Sequence, residues 1–150
     1  MTKKTSENGG FLMKAFRAVS GWAERNSVGV FVFDCGCCFS GRSVASVVNA
    51  ENKGVFCVSS PRHADVLLVA GALTRKSAPV LRRIYEQIPA PKGVVAVGAC
   101  ACKGGLFADS YAVVPDVSSV VPVDLYVPEC PVSAQSLQCA VRSLFDGRGG

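Results

Sequence analysis

The 150-residue sequence has the length of one domain of ordinary size, which can bury a core without the help of disulfide bonds. Hydrophobic residues make up 49% of the chain and charged residues 18%, a mixture that excludes a disordered chain, a coiled coil and a collagen-like repeat. The net charge of +5 comes from scattered Lys and Arg residues, and no predicted helix carries a basic face interleaved with aromatic residues. We therefore expect a solvated or partner-facing basic surface and no nucleic-acid partner.

The N-terminal region predicts a polar tail followed by an amphipathic helix. Apolar side chains recur at helical spacing over residues 10–25. Lys14 and Arg17 interrupt this stretch, so we expect no signal peptide, and no apolar run approaches the roughly 18 residues of a membrane span. We expect a cytoplasmic protein, with residues 1–26 as tail and helix and residues 27–150 as one α/β domain. The apolar face of the helix needs a cover, from a partner subunit, the domain itself or a membrane surface.

Beyond residue 26, β-rich apolar runs alternate with helical patterns. Five strands separated by helices predict a parallel sheet with right-handed crossovers and helices on both faces. This is the doubly wound, flavodoxin-like α/β class, for which we predict the strand order 2-1-3-4-5. The predicted strands cover residues 28–33, 55–58, 64–71, 94–97 and 123–127, and the predicted helices cover residues 43–49, 78–87 and 133–145, with Ser133 as the N-cap of the last.

Most of the eight cysteines follow predicted strands. At about 5% of the chain they are too few for a disulfide scaffold, and in the cytoplasm they should be reduced. The carboxyl ends of parallel strands lie at one edge of the sheet, where ligand sites of open α/β folds form. Cys57 and Cys139 lie in periodic apolar stretches and are predicted to be buried. The remaining six come after strand one (Cys35, Cys37 and Cys38), strand four (Cys100 and Cys102) and strand five (Cys130).

Four thiolates brought to one edge are typical of a zinc site or an iron–sulfur cluster. Zinc sites usually combine two C-x2-4-C motifs, whereas this sequence has one dense group and two remote single cysteines, a pattern that favours a cluster. FMN is disfavoured because the loop after strand one reads D-C-G-C-C-F-S-G and lacks a hydroxyl-rich phosphate-binding segment. A zinc-stabilised structural or interaction subunit without a redox role remains the alternative.

Several segments give the sequence a specific resemblance over roughly residues 22–145. These segments are R-N-S (25–27), the Cys37-Cys38 pair, P-R-H-A-D-V-L-L-V-A-G (61–71), A-P-V-L-R-R-I-Y-E-Q-I-P (78–89), V-G-A-C (97–100), G-G-L-F (104–107) and V-P-V-D-L-Y-V-P-E-C-P (121–131). In these segments the sequence resembles the superfamily that contains the B subunit of respiratory complex I (the 20 kDa type) and the small subunit of membrane-bound, group 4 nickel–iron hydrogenases.

The resemblance implies one 4Fe–4S cluster held by Cys37, Cys38, Cys100 and Cys130. In complex I the first two ligands are adjacent, whereas the hydrogenases use C-x-x-C, so Cys35 is an alternative to Cys37. The sequence departs from the family in one respect. The residues after the cysteine motif are Phe-Ser-Gly (39–41), where the family has an acidic residue, and this change puts the usual quinone-linked or hydrogen-linked coupling in doubt.

By the same resemblance the chain is an electron-transfer subunit without catalytic residues of its own, in a complex I-like or hydrogenase-like oxidoreductase. The implied partners are a large subunit of the complex I 49-kDa or hydrogenase type, a ferredoxin-like cluster subunit and membrane-arm subunits. The assembly would lie at the cytoplasmic, inner face of the cell membrane. The sequence leaves open which of these complexes it belongs to.

Other residues receive structural predictions. Gly104 and Gly105 should allow a tight backbone path beside the cluster. Cys102 is predicted to be a core or loop thiol, and His63 to lie at the surface or at the start of a strand. Tyr111 and Tyr126 are expected to pack in the core. The basic residues Arg75, Lys76, Arg82 and Arg83 are expected to be solvated or to face a partner.

Overall fold

The computed structural model describes residues 27–35, 54–90, 92–130 and 132–146. The predicted N-terminal helix and the predicted helix at residues 43–49 lie outside them. Within the described part, five parallel strands form one sheet in the order β2-β1-β3-β4-β5, which confirms the predicted class and strand order. The strands are β1 (Val28–Asp34), β2 (Val55–Cys57), β3 (Val66–Ala70), β4 (Gly93–Val97) and β5 (Leu125–Val127).

Strands β3 and β4 form the most deeply buried part of the sheet, which explains why their sequences are continuous apolar runs. Every residue of β3 and of β4 is buried, as expected for parallel strands covered on both faces. The register pairs Val66 of β3 with Val30 of β1 on one side and with Gly93 of β4 on the other. Side chains alternate between the two faces of the sheet, so Leu67 and Leu68 belong to different core clusters.

In the described residues, three α-helices and three short 3-10 helices lie between or after the strands. The bounds of α1 (Ala78–Gln87) agree with the prediction, and Pro79 occupies its first turn. Helix α3 (Ala134–Asp146) is capped as predicted, because the Ser133 hydroxyl accepts a hydrogen bond from the Ser136 N–H at 3.2 Å. Helix α2 (Ala99–Lys103) was not predicted, since five residues are too few to show helical periodicity. The 3-10 helices are Pro61–His63, Gly105–Phe107 and Val117–Ser119.

Each face of the sheet carries its own apolar cluster. On one face, Leu137 and Val141 of α3 pack with Leu68 and other residues of the central strands. On the opposite face, Leu81 of α1 packs with Leu67, together with residues of α2. This arrangement leaves the carboxyl ends of the strands between the two helical layers, so the sheet presents an edge on which ligands can be held.

Two carboxylates tie the amino edge of the sheet together. Asp65 Oδ2 accepts a hydrogen bond from the Gly29 N–H at 2.9 Å, and Asp124 Oδ2 accepts one from the Val94 N–H at 2.8 Å. Each carboxylate satisfies a backbone donor near the start of a neighbouring strand, where an unpaired buried N–H would be costly. Asp65 and Asp124 therefore stabilise the sheet at its amino edge, which is opposite the edge that carries the cysteines.

Four sequence predictions about burial are wrong. Tyr111 lies in a turn and is 88% exposed. Tyr126 is 41% exposed, because it lies on the edge strand β5 between Leu125 and Val127, whose side chains turn to the opposite face and pack on the core. Cys139 is exposed on the outer side of α3, and Cys57 is only partly buried on the edge strand β2. His63 and the four basic residues predicted to be solvated are exposed.

Candidate metal centre

The cysteines predicted as ligands follow strands that end at one edge of the sheet. Cys35 comes directly after β1, Cys100 lies three residues beyond β4, and Cys130 lies three residues beyond β5. Since β4 and β5 are hydrogen-bonded neighbours, Cys100 and Cys130 emerge from adjacent strands. The Gly98 N–H donates to the carbonyl of Val127 at 2.7 Å, which links the two strand ends just before the cysteines. Cys37 and Cys38 lie outside the described residues.

Cys100 is held in a tight backbone path formed by glycines. Gly98 has a φ of 90° and begins α2, so that Cys100 lies in its first turn with 8% of its surface exposed. Gly104 has a φ of 77° and donates its N–H to the Cys100 carbonyl at 2.9 Å. Gly105 has a φ of 53°, and a Cβ there would lie 2.8 Å from Cys100 Sγ. Both glycines thus form the predicted tight backbone path, and Gly105 is the one that lies against the thiol, whereas a Cβ at Gly104 would meet Ala108.

Cys130 is exposed and lies between Glu129 and Pro131 in the segment that leads into α3. The Glu129 carboxylate is engaged by the beginning of this helix, since Oε1 accepts a hydrogen bond from Ser136 Oγ at 2.7 Å. Hydrogen bonds from Ser136 and from the Ser133 N–H lower the pKa of Glu129. The residue before Cys130 therefore carries a carboxylate that is hydrogen-bonded to the beginning of α3.

The other two described thiols of this region have surroundings typical of neutral core cysteines. Burial and, to a smaller extent, the charge of Asp34 raise the pKa of Cys35 to about 11, against a smaller lowering by a hydrogen bond with Ser77. Its side chain packs against the apolar cluster beneath α1. Burial also raises the pKa of Cys102, whose Sγ donates to the Ala96 carbonyl at 3.7 Å, which confirms the predicted core thiol.

The described part of the centre is compatible with a cluster. Thiolate sulfur is the ligand type that iron–sulfur clusters take, and two cysteines on adjacent strand ends supply it here. The bare backbone at Gly105 leaves room against Cys100 Sγ that a side chain would fill. In residues 27–35, 54–90, 92–130 and 132–146 no group of three or more His, Cys, Asp or Glu could hold a metal ion, and Cys37 and Cys38 belong to none of these ranges.

Sequence reasoning missed an exposed apolar surface directly after Cys100. Leu106 is 97% exposed, Tyr111 is 88% exposed and Phe107 is 46% exposed. The segment is nevertheless ordered by turn hydrogen bonds and by an antiparallel bridge between Thr74 and Val113. The sequence did contain a signal for this exposure, because the large apolar residues Leu106 and Phe107 directly follow two glycines in a loop. A rigid, exposed apolar surface of this kind is typical of a protein–protein contact.

No helix in the described part of the chain is both long and apolar enough to cross a membrane. A shallow groove of about 350 Å³ lies between the start of α1 and the Val117–Ser119 helix, and Arg75 and Arg82 line it. These two residues are among the basic residues predicted to be solvated or to face a partner.

Comparison with known proteins places the chain beside subunits of respiratory complexes. A family model described as NADH ubiquinone oxidoreductase, 20 Kd subunit, matches residues 35–144. The B subunit of the NADH-quinone oxidoreductase of Heliobacterium modesticaldum is 44% identical over 130 residues, which are 84% of this chain and 74% of the relative. Among solved structures, a chain of the membrane-bound sulfane sulfur reductase, an archaeal respiratory membrane complex, matches with a TM-score of 0.69 and 26% identity, over 85% of this chain and 73% of that one.

Proposed function

Because the chain belongs to the family of the NADH ubiquinone oxidoreductase 20 Kd subunit, we propose that it is an electron-transfer subunit carrying one 4Fe–4S cluster in a membrane-associated respiratory complex. The matched relatives come from an NADH-quinone oxidoreductase and from a membrane-bound respiratory complex. The observation that carries the proposal is the placement of Cys100 and Cys130 on the ends of adjacent strands, with the bare Gly105 backbone against Cys100 Sγ.

The proposed ligands are Cys37, Cys38, Cys100 and Cys130. Cys35 is the alternative for the first position, and its side chain packs on the apolar cluster beneath α1. A bound cluster supplies reversible one-electron transfer. The residues of this chain hold it, since Gly98 and Gly104 direct the first turn of α2 toward the edge and Gly105 leaves space for the Cys100 sulfur.

The exposed surface formed by Leu106, Phe107 and Tyr111 supports a partner at the same edge. A large subunit of the complex I 49-kDa or hydrogenase type that covers this surface would place its active site close to the Cys100 side of the cluster. Electron transfer requires such proximity, and the order of the segment limits the entropy lost on docking. A ferredoxin-like cluster subunit and membrane-arm subunits complete the proposed assembly, which would lie at the inner face of the membrane.

The test is the metal content of the full chain, purified without oxygen and reconstituted with iron and sulfide. A 4Fe–4S protein contains about four irons and four sulfides and shows an EPR signal on reduction. Cys100→Ser and Cys130→Ser should each lose most of the cluster. Cys139→Ser is the matched control, because this thiol is exposed on the outer side of α3 and should leave the cluster intact.

The alternative outcomes are distinct. One zinc per chain without sulfide would support the structural subunit held by the same thiolates, and full iron and sulfide in the Cys100 or Cys130 variant would refute the ligand assignment. A colourless chain without an EPR signal would indicate a scaffold subunit without a cluster.

A further inference from the structure

The side chain of Glu129 connects the segment around Cys130 to the first turn of α3. Its Oε1 accepts a hydrogen bond from Ser136 Oγ at 2.7 Å, and its Oε2 accepts one from the Ser133 N–H at 3.4 Å. Ser133 Oγ lies 3.3 Å from Oε2 and 2.8 Å from Ser136 Oγ, so its single proton serves one of the two acceptors at a time. Together these contacts close a ring between the residue before Cys130 and the helix that follows it.

Cys130 needs such a connection because the sheet does not reach it. The last paired residue of β5 is Val127, and Pro128 has no N–H with which to continue the strand ladder. The thiol is also exposed, so core packing does not hold it as it holds Cys100. The contacts of Glu129 with α3 restrain the backbone at the position immediately before the thiol.

Glu129 also brings a negative charge to the segment that carries Cys130. The residues after the cysteine motif, Phe-Ser-Gly (39–41), contain no carboxylate. A carboxylate beside a ligand disfavours the addition of an electron to the cluster, and charges and hydrogen bonds around the sulfurs are main determinants of cluster potential.

We propose that Glu129 is a positioning residue, which holds Cys130 at the carboxyl edge through Ser133 and Ser136 and keeps a negative charge beside the cluster that lowers its reduction potential. The part of this inference that concerns the cluster rests on the proposed function. The restraint on the backbone does not, and it is measurable in the chain with or without iron.

Two variants separate the restraint from the charge. Glu129→Gln keeps the length of the side chain and one carbonyl acceptor but removes the charge. Ser136→Ala keeps the charge and removes the shortest hydrogen bond. The matched control is Glu86→Gln, which removes an exposed carboxylate in the last turn of α1 whose ion pair with Arg82 is 3.6 Å long. Helix α1 returns from the carboxyl edge toward the amino edge, so Glu86 lies away from the cysteines.

The measurements are hydrogen exchange over residues 128–137, the rate of cluster loss to a chelator, and the EPR-monitored midpoint potential. Ser136→Ala should raise the exchange rate and the rate of cluster loss by roughly three- to tenfold, the range expected for the loss of one hydrogen bond. Glu129→Gln should shift the midpoint potential upward, a change that a purely structural role would not produce. The Glu86→Gln variant should match the wild type in all three.

The outcomes also separate this inference from the proposed function. Unchanged exchange in both Glu129→Gln and Ser136→Ala overturns the restraint, whatever the iron content. An unchanged potential in Glu129→Gln overturns the role of the charge. If the wild-type chain binds no iron while exchange still rises in Ser136→Ala, the proposed function fails and the restraint stands.

Discussion

Replacing Gly105 with Ala tests the geometry of the Cys100 side of the centre. The new Cβ would lie 2.8 Å from Cys100 Sγ and 3.1 Å from Cys100 Cα, closer than such atoms approach without displacement. The φ of 53° adds the cost of a left-handed backbone, about 1–2 kcal/mol for a residue with a Cβ. Overpacking adds about 1–3 kcal/mol. We expect the free energy of unfolding to fall by about 2–5 kcal/mol, a large share of the ~5–15 kcal/mol typical of a domain.

Gly104→Ala is the matched control for this variant. Its φ of 77° gives the same kind of backbone cost, and its Cβ would lie 2.8 Å from Ala108 Cα instead of the thiol. Both variants should lower stability in denaturant unfolding, but Gly105→Ala should retain less iron and sulfide. A third variant, Gly105→Asn, relieves the backbone cost because Asn tolerates the left-handed region, yet keeps the contact with sulfur.

The reasoning would be refuted if Gly105→Ala kept full iron and sulfide, or if Gly104→Ala lost as much cluster as Gly105→Ala. Recovery of the cluster in Gly105→Asn would show that backbone strain, and not the crowding of the Cys100 sulfur, is responsible.

Three further predictions concern other parts of the molecule. Lys92→Met should lower the free energy of unfolding by about 1–2 kcal/mol, because Nζ donates to the Tyr85 carbonyl at 2.7 Å at the end of α1 and lies 3.8 Å from the centre of the Tyr85 ring. Asp124→Ala should cost about 1–3 kcal/mol in urea unfolding, since it leaves the Val94 N–H of a buried strand without its carboxylate acceptor. Leu106→Ser should change stability by less than about 0.5 kcal/mol but reduce the amount of large subunit that co-purifies.

Conservative substitutions at Asp124 and Lys92 are the controls for these variants. Asp124→Asn keeps an oxygen acceptor and should lose less stability than Asp124→Ala, and equal losses would argue against the hydrogen bond as the cause. Lys92→Arg keeps a cation near Tyr85 and should recover part of the loss. Undiminished co-purification of the large subunit with Leu106→Ser would contradict the proposed docking surface.

The edge of the sheet at which Cys100 and Cys130 lie was predictable from local signals, whereas the surroundings of each thiol were not. Cys100 and Cys130 follow short β-rich runs, so parallel topology alone places them on one edge. The Glu129 carboxylate accepts hydrogen bonds from Ser133 and Ser136 because of the way the chain turns into α3. Hydrophobic periodicity in the sequence does not predict such hydrogen bonds. Tyr126 and Tyr111 were misjudged because an aromatic residue in an apolar segment indicates burial only when another element covers it.

By itself, the amino-acid order determined the alternation of buried strands and helices, the order of the strands in the sheet, and the cap and proline at the beginnings of α3 and α1. These features depend on hydrophobic periodicity and on backbone preferences of single residues, which act over a few neighbouring positions. Only the tertiary structure decided which thiols are buried and which apolar residues face outward. Those properties depend on elements that are distant in the chain and packed together in space, so no local pattern contains them.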